Sequence, residues 1–276
     1  MNIPIRAGDT MVVFVEGGKQ REFIFHAKVF HDLAVATYKR VLKSPQESAR
    51  DILAAIICAC TALEGFIAET VVGARASGKV TGDQKATELA DAITHVDKRK
   101  GKGERKGIKE KYREARRVLK VTTFRDDEPV FRDFALLVDL RNTVVHLEPF
   151  EVGADQARQQ VLLRKLSSLG IIPVPSHSFL ENLTNPEVAR FACNAAASMI
   201  REIASYYKHP WPGSGLEVLH VVGAVPEPNA DQMEDLFPMI PPAVHDMTEL
   251  AARLGRSSLG DSQQGAKHKE QQRDSI

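Results

Sequence analysis

The chain of 276 residues is predicted to be mainly α-helical, with a small β-hairpin at its N-terminus. Long segments that repeat apolar residues at helical spacing predict the helical part. The hairpin is predicted from two short apolar runs, Met11–Val15 and Glu22–Phe25, which flank Gly17 and Gly18. Glycine adopts the positive φ that tight hairpin turns need.

The clearest of the predicted helices starts at Ser44-Pro45-Gln46-Glu47 and runs to about Gly73. These four residues form a capping box, with a serine N-cap, a proline at the first helical position and a glutamate at the third. One face of the helix carries Ile52, Ile56, Ala59, Leu63, Phe66 and Ile67, and the remaining faces are small or apolar. A helix that is apolar nearly all round is typical of the centre of a fold. Glu64 and Glu69 are the charges in its middle, and a buried carboxylate needs a partner.

Further helices are predicted on both sides of this one. The helix before it covers residues 27–43, with Val29, Leu33, Ala36 and Arg40 at helical spacing. Those after it cover about 109–119, Pro129 to about Glu148, about 154–169, and a large helix that begins at Asn185-Pro186 and ends before His209. Residues 216–222 are a candidate strand, 245–254 a short helix, and the polar last 21 residues are predicted to be disordered. The domains are therefore 1–26, 27–208 and a C-terminal extension, 209–276, disordered after about 255.

Composition excludes several classes of protein. The apolar content of 43% is ordinary for a soluble chain, no secretory leader is visible, and no apolar stretch approaches the roughly 20 residues of a membrane span. Cys58, Cys60 and Cys193 have no zinc spacing, and their odd number argues against a disulfide framework. Phosphate-binding, dinucleotide-binding, zinc-protease and serine-hydrolase motifs are absent from the sequence. We therefore expect a cytoplasmic protein with no metal, cofactor or membrane partner.

Residues 97–120 are strongly basic, with 12 Lys and Arg against 4 Asp and Glu, whereas the rest of the chain has 25 basic and 32 acidic residues. Two interpretations stay open. The segment is a solvated loop and helix face, or it is an arm that contacts RNA phosphates without reading sequence. Tyr112 is its sole aromatic residue, which leaves little base stacking. The candidate RNA-binding residues are Lys98, Arg99, Lys100, Lys102, Arg105, Lys106, Lys109, Lys111 and Arg113.

The most informative string is Arg141-Asn142-Thr-Val-Val-His146, inside the predicted helix 129–148. Histidine moves protons and arginine neutralises phosphate charge, so the pair can cleave an RNA phosphodiester without a metal. Arg21 and His26 have the same spacing but lie in a strand pattern. At about 100° per residue, Asp139, Asn142 and His146 cluster on one face and Arg141 projects from the adjoining one. A structural alternative is a helix-capping histidine, with a salt bridge from Arg141 to Asp139 or a nearby glutamate.

A long apolar helix ending in Ala62–Glu69, a basic insertion, and a helix carrying Leu140–His146 together resemble the HEPN superfamily, over roughly residues 27–208. The resemblance implies an antiparallel helical bundle that forms a homodimer, with two Arg/His motifs facing one composite cleft. It implies that Arg141 and His146 are catalytic, that Asn142 accompanies them, and that Glu64 or Glu69 supplies an acidic group.

The function implied by the resemblance is metal-independent endoribonuclease activity, in a toxin or antiphage system with RNA as substrate and an antitoxin or defence protein as partner. Two alternatives are carried with it. The first is a catalytically inactive HEPN-like module that binds a nucleotide or RNA, or holds a dimer. The second is an unrelated all-helical protein with a chance motif, which oligomeric state would distinguish, since the composite cleft needs two chains.

Overall fold

A computed structural model describes residues 11–16, 19–24, 26–43, 48–94, 106–145, 154–173, 175, 178–206 and 230–241. Over these residues the prediction of a mainly α-helical protein is confirmed. The chain divides into two compact units, Met1–Met239 and Ile240–Ile276. Of the second unit, only Ile240 and Pro241 are described, so every element below belongs to the first unit.

Two short strands come first, and the helices follow. Strand β1 (Met11–Glu16) pairs antiparallel with β2 (Lys19–Ile24), so that Met11 lies opposite Ile24 and Glu16 opposite Lys19. The described helices are α1 (Ala27–Lys43), α2 (Ser48–Thr81), α3 (Gln84–Thr94), α4 (Ile108–Lys120), α5 (Pro129–Val145), α6 (Ala154–Ser168), α7 (Phe179–Asn182), α8 (Pro186–Ala204) and α9 (Ala230–Leu236).

Helix α2 is the scaffold of the first unit. It is 34 residues long and packs against α1, α3, α5 and α8. Its predicted apolar stripe is buried, since Ile52, Ile56, Ala59, Leu63, Phe66 and Ile67 are all at most 2% exposed. The side chains that surround these residues therefore form the core of the unit, and the position of any neighbouring helix is set by its contact with α2.

The opposite face of α2 is open, which corrects the interpretation of α2 as a helix buried nearly all round. Ile57 is 40% exposed, and Glu64 and Ala68 are also exposed. Helix α2 also contradicts the expectation that no apolar stretch approaches the length of a membrane span. Its segment Ala49–Lys79 is long and apolar enough to cross a membrane. Half of its most apolar window is buried inside the fold, and core helices of soluble proteins pass the same test, so this finding is weak evidence for a membrane.

Helix α2 continues beyond its predicted end at Gly73 to Thr81, and α3 was not predicted. The cause is packing. A Cβ atom on Gly78 would lie 2.3 Å from Oγ1 of Thr87, so glycine at this position permits the close approach of α3. The turn between the two helices uses Gly82, which has a φ of +70°. Gly78, beyond the predicted end of α2, is therefore a contact point between two helices.

The face of α1 that carries the predicted apolar row is exposed, and the other face is buried. Val29, Leu33, Ala36 and Arg40 face outward, whereas Ala27, His31, Ala34, Thr37, Tyr38 and Val41 are buried. The buried row begins with a small residue because α1 starts close against α2. A Cβ atom on Gly65 would lie 3.1 Å from the backbone nitrogen of Ala27.

The start of α8 is confirmed as predicted. The side chain of Asn185 accepts a hydrogen bond from the backbone N–H of Glu187 at 3.0 Å, and Pro186 occupies the first turn. Helix α9 was not predicted; it packs on α8, where Arg201 donates hydrogen bonds to the carbonyl oxygens of Phe237 and Glu234. The capping box at 44–47, the end of the motif helix at 146–148, the candidate strand 216–222, the helix 245–254 and the C-terminal tail lie outside the described residues.

Candidate functional site

Helix α5 carries Arg141 near its C-terminal end. Phe134, Leu137 and Leu140 are fully buried, and they hold α5 in the interior formed by its contacts with α2 and α8. Arg141 follows the last of these positions, so its side chain leaves the core on an adjoining face and is 31% exposed. The core packing of α5 therefore brings a half-buried guanidinium to the surface beside α2.

The guanidinium of Arg141 has two described partners. Its Nη1 donates a hydrogen bond to Oδ1 of Asn142 at 3.0 Å, and its Nη2 lies 3.6 Å from Oε1 of Glu64. The second distance is an ion pair, longer than a hydrogen bond, and both side chains are partly exposed, so the pair is worth at most about 1 kcal/mol. A guanidinium has five N–H donors. Arg141 can therefore exchange Glu64 for a phosphate at little cost.

These three residues line a pocket of about 210 Å³ between α2, α4 and α5. The remaining lining residues are Cys60, Ile108 and Val138, which are apolar or weakly polar. A small pocket with aliphatic walls and a few convergent polar groups is the usual form of a ligand site. The predicted Arg141, Asn142 and Glu64 are thus brought together at one concave surface.

Cys60 is 2% exposed. Burial raises the pKa of its thiol to about 12, while the charge of Arg141 lowers it less strongly. Its Sγ lies 3.8 Å from the carbonyl oxygen of Leu137, to which it donates a weak hydrogen bond. A thiol that stays protonated at neutral pH is a poor nucleophile, so Cys60 serves as a wall of the pocket.

A wider groove of about 1110 Å³ adjoins the pocket and shares Ile108, Val138 and Asn142 with it. Its basic residues are Lys109, Arg113 and Arg125, and each is paired with a carboxylate. Lys109 Nζ donates to Oδ1 of Asp139 at 2.6 Å, Arg113 pairs with Asp126, and Arg125 Nη2 lies 2.5 Å from Oδ2 of Asp127. The groove is therefore close to electrically balanced.

Of the two partners that the structural alternative named for Arg141, Asp139 or a nearby glutamate, the structure has the glutamate, Glu64. Asp139 is bound by Lys109 and not by Arg141, which pairs with Glu64 instead. His146 lies outside the described residues, one position beyond the end of α5 at Val145. Its distance to Arg141 and its own partners are therefore not described.

Four of the predicted RNA-binding residues are described, and they differ in their surroundings. Lys106 Nζ donates to the carbonyl oxygen of Ala92 at 2.9 Å, and Arg113 lies 4.6 Å from the ring centre of Phe131 as well as pairing with Asp126. Lys109 is held by Asp139, and Lys111 is partly exposed on α4. Lys98, Arg99, Lys100, Lys102 and Arg105 lie outside the described residues.

Glu69 occupies a different environment from Glu64. It is 6% exposed, and its Oε1 accepts hydrogen bonds from the backbone N–H groups of His26 at 2.6 Å and Ala27 at 2.9 Å. Burial raises its pKa to about 7, while these two hydrogen bonds lower it less strongly. Glu69 therefore caps the N-terminus of α1, and the acidic residue that the fold brings to Arg141 is Glu64.

Three pocket residues, Cys60, Ile108 and Val138, were not predicted as site residues. All three are small or aliphatic, and a sequence pattern does not separate a pocket wall from the core. Tyr112, noted as the aromatic of the basic segment, is fully buried and donates a hydrogen bond to the carbonyl oxygen of Leu63 at 2.9 Å. It therefore anchors α4 to α2. Within the described ranges, no group of three or more His, Cys, Asp or Glu could hold a metal ion.

Comparison with known proteins adds no relative to this description. No protein-family model matches the chain, and no curated protein and no solved structure matches it significantly.

Proposed function

We propose that the protein is a metal-independent endoribonuclease of the HEPN type, with Arg141 and His146 as its catalytic residues. The observation that carries the proposal is the pocket at which α5 presents Arg141 beside Glu64 and Asn142. An ordinary surface arginine would project into solvent, with no part in a concave site. Instead, Arg141 lines a concave site with a weakly held counter-ion, five residues before His146 in the sequence.

Arg141 would bind the scissile phosphate. An arginine fork donates two parallel hydrogen bonds to phosphate oxygens, and it stabilises the extra negative charge that develops as the phosphorus becomes five-coordinate. The 3.6 Å pair with Glu64 supports this role, because a loose and partly exposed pair is readily replaced by phosphate. Asn142 orients the guanidinium through its carbonyl oxygen.

His146 would move the protons. The ribose 2′-oxygen attacks the adjacent phosphorus as its proton passes to a base, the bond from phosphorus to the 5′-oxygen breaks, and that oxygen leaves with a proton from an acid. An imidazole suits either step at neutral pH. The products carry a 2′,3′-cyclic phosphate and a 5′-hydroxyl. DNA lacks the 2′-hydroxyl and would not be cleaved.

A homodimer would divide the acid and base roles between two copies of His146. The open face of α2 supports such an assembly, since it exposes Ile57 and Ala68 on the side of the helix that carries Glu64. Val145, at the end of α5, is also an exposed apolar residue. A dimer interface at this face would cover these exposed apolar side chains. As a toxin or defence nuclease, the protein would also have an antitoxin or defence protein as partner.

The test is cleavage of a mixed RNA pool by the purified protein in EDTA, with sequencing of 2′,3′-cyclic phosphate ends. We expect the wild type to cleave RNA and spare the matching DNA, and His146→Ala to be inactive. His26→Ala is the matched control, because its side chain is exposed and it shares the spacing of an Arg/His pair. Arg141→Lys keeps the charge but loses the fork, so we expect a large loss of kcat.

Activity in His146→Ala equal to wild type would refute the catalytic assignment. Equal loss in His26→Ala would show that the histidine effect is not specific to the motif. A wild type that binds RNA without cutting it would favour the inactive binding module.

A further inference from the structure

We propose that the pocket between α2, α4 and α5 binds a guanine base, which Glu64 and Asn142 recognise through its Watson–Crick edge. The proposal deepens the proposed ribonuclease function and rests on it for the identity of the substrate. It assigns the enzyme a preference for cleavage on the 3′ side of guanosine.

The size of the pocket argues for a single base. Pockets that take whole drug-sized ligands span about 300–1,000 Å³. At about 210 Å³, this pocket is smaller than those. The side chains of Ile108 and Val138 provide aliphatic contact for the faces of a flat ring, and both also border the wider groove through which an RNA strand would leave.

The polar groups of the pocket have the hydrogen-bonding pattern that guanine requires. The side chain of Glu64 is 49% exposed, and among the described residues its 3.6 Å pair with Arg141 leaves oxygen lone pairs for a ligand. An ionised carboxylate is an acceptor only. Guanine presents two adjacent donors on one edge, N1–H and the N2 amino group, whereas adenine and cytosine each present an unprotonated ring nitrogen there, which a carboxylate repels.

Asn142 supplies the complementary group. Arg141 can only donate, so the atom of Asn142 that accepts from it at 3.0 Å is the carbonyl oxygen Oδ1. The amide nitrogen of Asn142 is therefore the end that is turned away from the guanidinium, and it can donate to O6 of guanine. The guanidinium thus fixes the orientation of the Asn142 amide, and its looser pair with Glu64 leaves that carboxylate available to the base.

The same arginine links the base to the reacting phosphate. With its Nη1 on Asn142, Arg141 keeps its other N–H donors for an anionic ligand, which replaces the loose 3.6 Å contact of Nη2 with Glu64. A guanosine whose base lies in the pocket would place its own 3′-phosphate on these donors. Its 2′-hydroxyl would then be the attacking group, and the products would end in guanosine 2′,3′-cyclic phosphate.

The experiment measures base preference and not only rate. Four short RNAs that differ in the base 5′ to a single cleavable linkage are cut by the wild type, Glu64→Gln and Glu88→Gln. Glutamine replaces one acceptor oxygen with a donor, so we expect the ratio of kcat/KM for guanosine over adenosine to fall about tenfold to a hundredfold in Glu64→Gln. Glu88 is an exposed glutamate of α3, so Glu88→Gln is the control that removes the same charge outside the pocket.

A second measurement separates the inference from the ribonuclease function. Binding of 3′-GMP and 3′-AMP is measured by calorimetry on His146→Ala. This binding measurement does not depend on RNA cleavage. Selective binding of 3′-GMP that is lost when Glu64→Gln is added supports the pocket, even if the wild type cleaves no RNA. Cleavage at equal rates after all four bases, or a uniform fall in kcat in Glu64→Gln with an unchanged base ratio, overturns the guanine assignment and leaves the ribonuclease proposal standing.

Discussion

Replacement of Glu69 by glutamine should change how the stability of the protein depends on pH. The carboxyl group is 6% exposed, and its Oε1 accepts the backbone N–H groups at the start of α1, while its Oε2 has no partner among the described residues. Burial raises the pKa of Glu69 from 4.5 to about 7. Glutamine keeps the acceptor oxygen of the cap but does not ionise, so it removes the titration and retains the cap.

The magnitude follows from the pKa of the folded state. A pKa raised from 4.5 to about 7 corresponds to about 3 kcal/mol, at about 1.4 kcal/mol for each pKa unit. The folded state holds the proton more tightly, so this stabilisation is fully present below pH 4.5 and is lost as the pH rises through 7. About 2.5 kcal/mol of the loss falls between about pH 5 and about pH 8.

His31 has the opposite effect on the same profile. Burial lowers its pKa to about 4, so the stabilisation that it gives above pH 6.5 is lost as the pH falls towards 4. The two contributions oppose one another between about pH 4.5 and about pH 6.5 and flatten the profile of the wild type. The quantity to measure is therefore the difference in unfolding free energy between Glu69→Gln and the wild type.

Urea unfolding at four pH values between about 5 and about 8 provides this difference. We expect Glu69→Gln to gain about 2.5 kcal/mol relative to the wild type across this range. Glu69→Ala is the control; it should show the same gain with pH, offset downward by about 1 kcal/mol because it also loses the cap. A difference that stays constant with pH would refute the reasoning, since it would mean that Glu69 ionises equally in the folded and unfolded chains.

Two further predictions concern the surface. Ile57→Asp places a charge on the open face of α2 and should convert a dimer to a monomer, as measured by light scattering. Val161→Asp, at a similarly exposed apolar site on α6, should leave the dimer intact. A monomeric wild type would contradict the proposed composite cleft. Val121 ends α4 with a φ of 60° and is 84% exposed, so Val121→Gly should relieve left-handed strain and raise stability by about 0.5–1 kcal/mol in thermal unfolding. Val121→Ala keeps a Cβ atom and should gain much less, and a loss of stability in Val121→Gly would refute the assignment of strain.

The helical part of the fold was predictable where one face of a helix is buried and its ends carry capping residues. The apolar stripe of α2 and the asparagine cap of α8 are examples. Prediction was wrong where packing reverses a local signal. The helix was predicted to end at about Gly73, but it continues to Thr81, and α3 lies against Gly78. In α1, the predicted apolar row faces outward, and the close approach to α2 places Ala27 and Ala34 in the buried row.

The candidate site shows the same limit at the level of single residues. The sequence marked Glu64 and Glu69 as equal candidates. Residues five positions apart on a helix point about 140° away from each other, so the two cannot face the same neighbour. Which of them meets Arg141 depends on the rotation of α2 about its axis, and that rotation is fixed by the core residues and by the cap that Glu69 gives to α1. Because Glu69 is used to start α1, Glu64 is left on the open side of α2, where α5 brings Arg141. The structural role of one carboxylate thus determines that the other is available for the chemistry of the site.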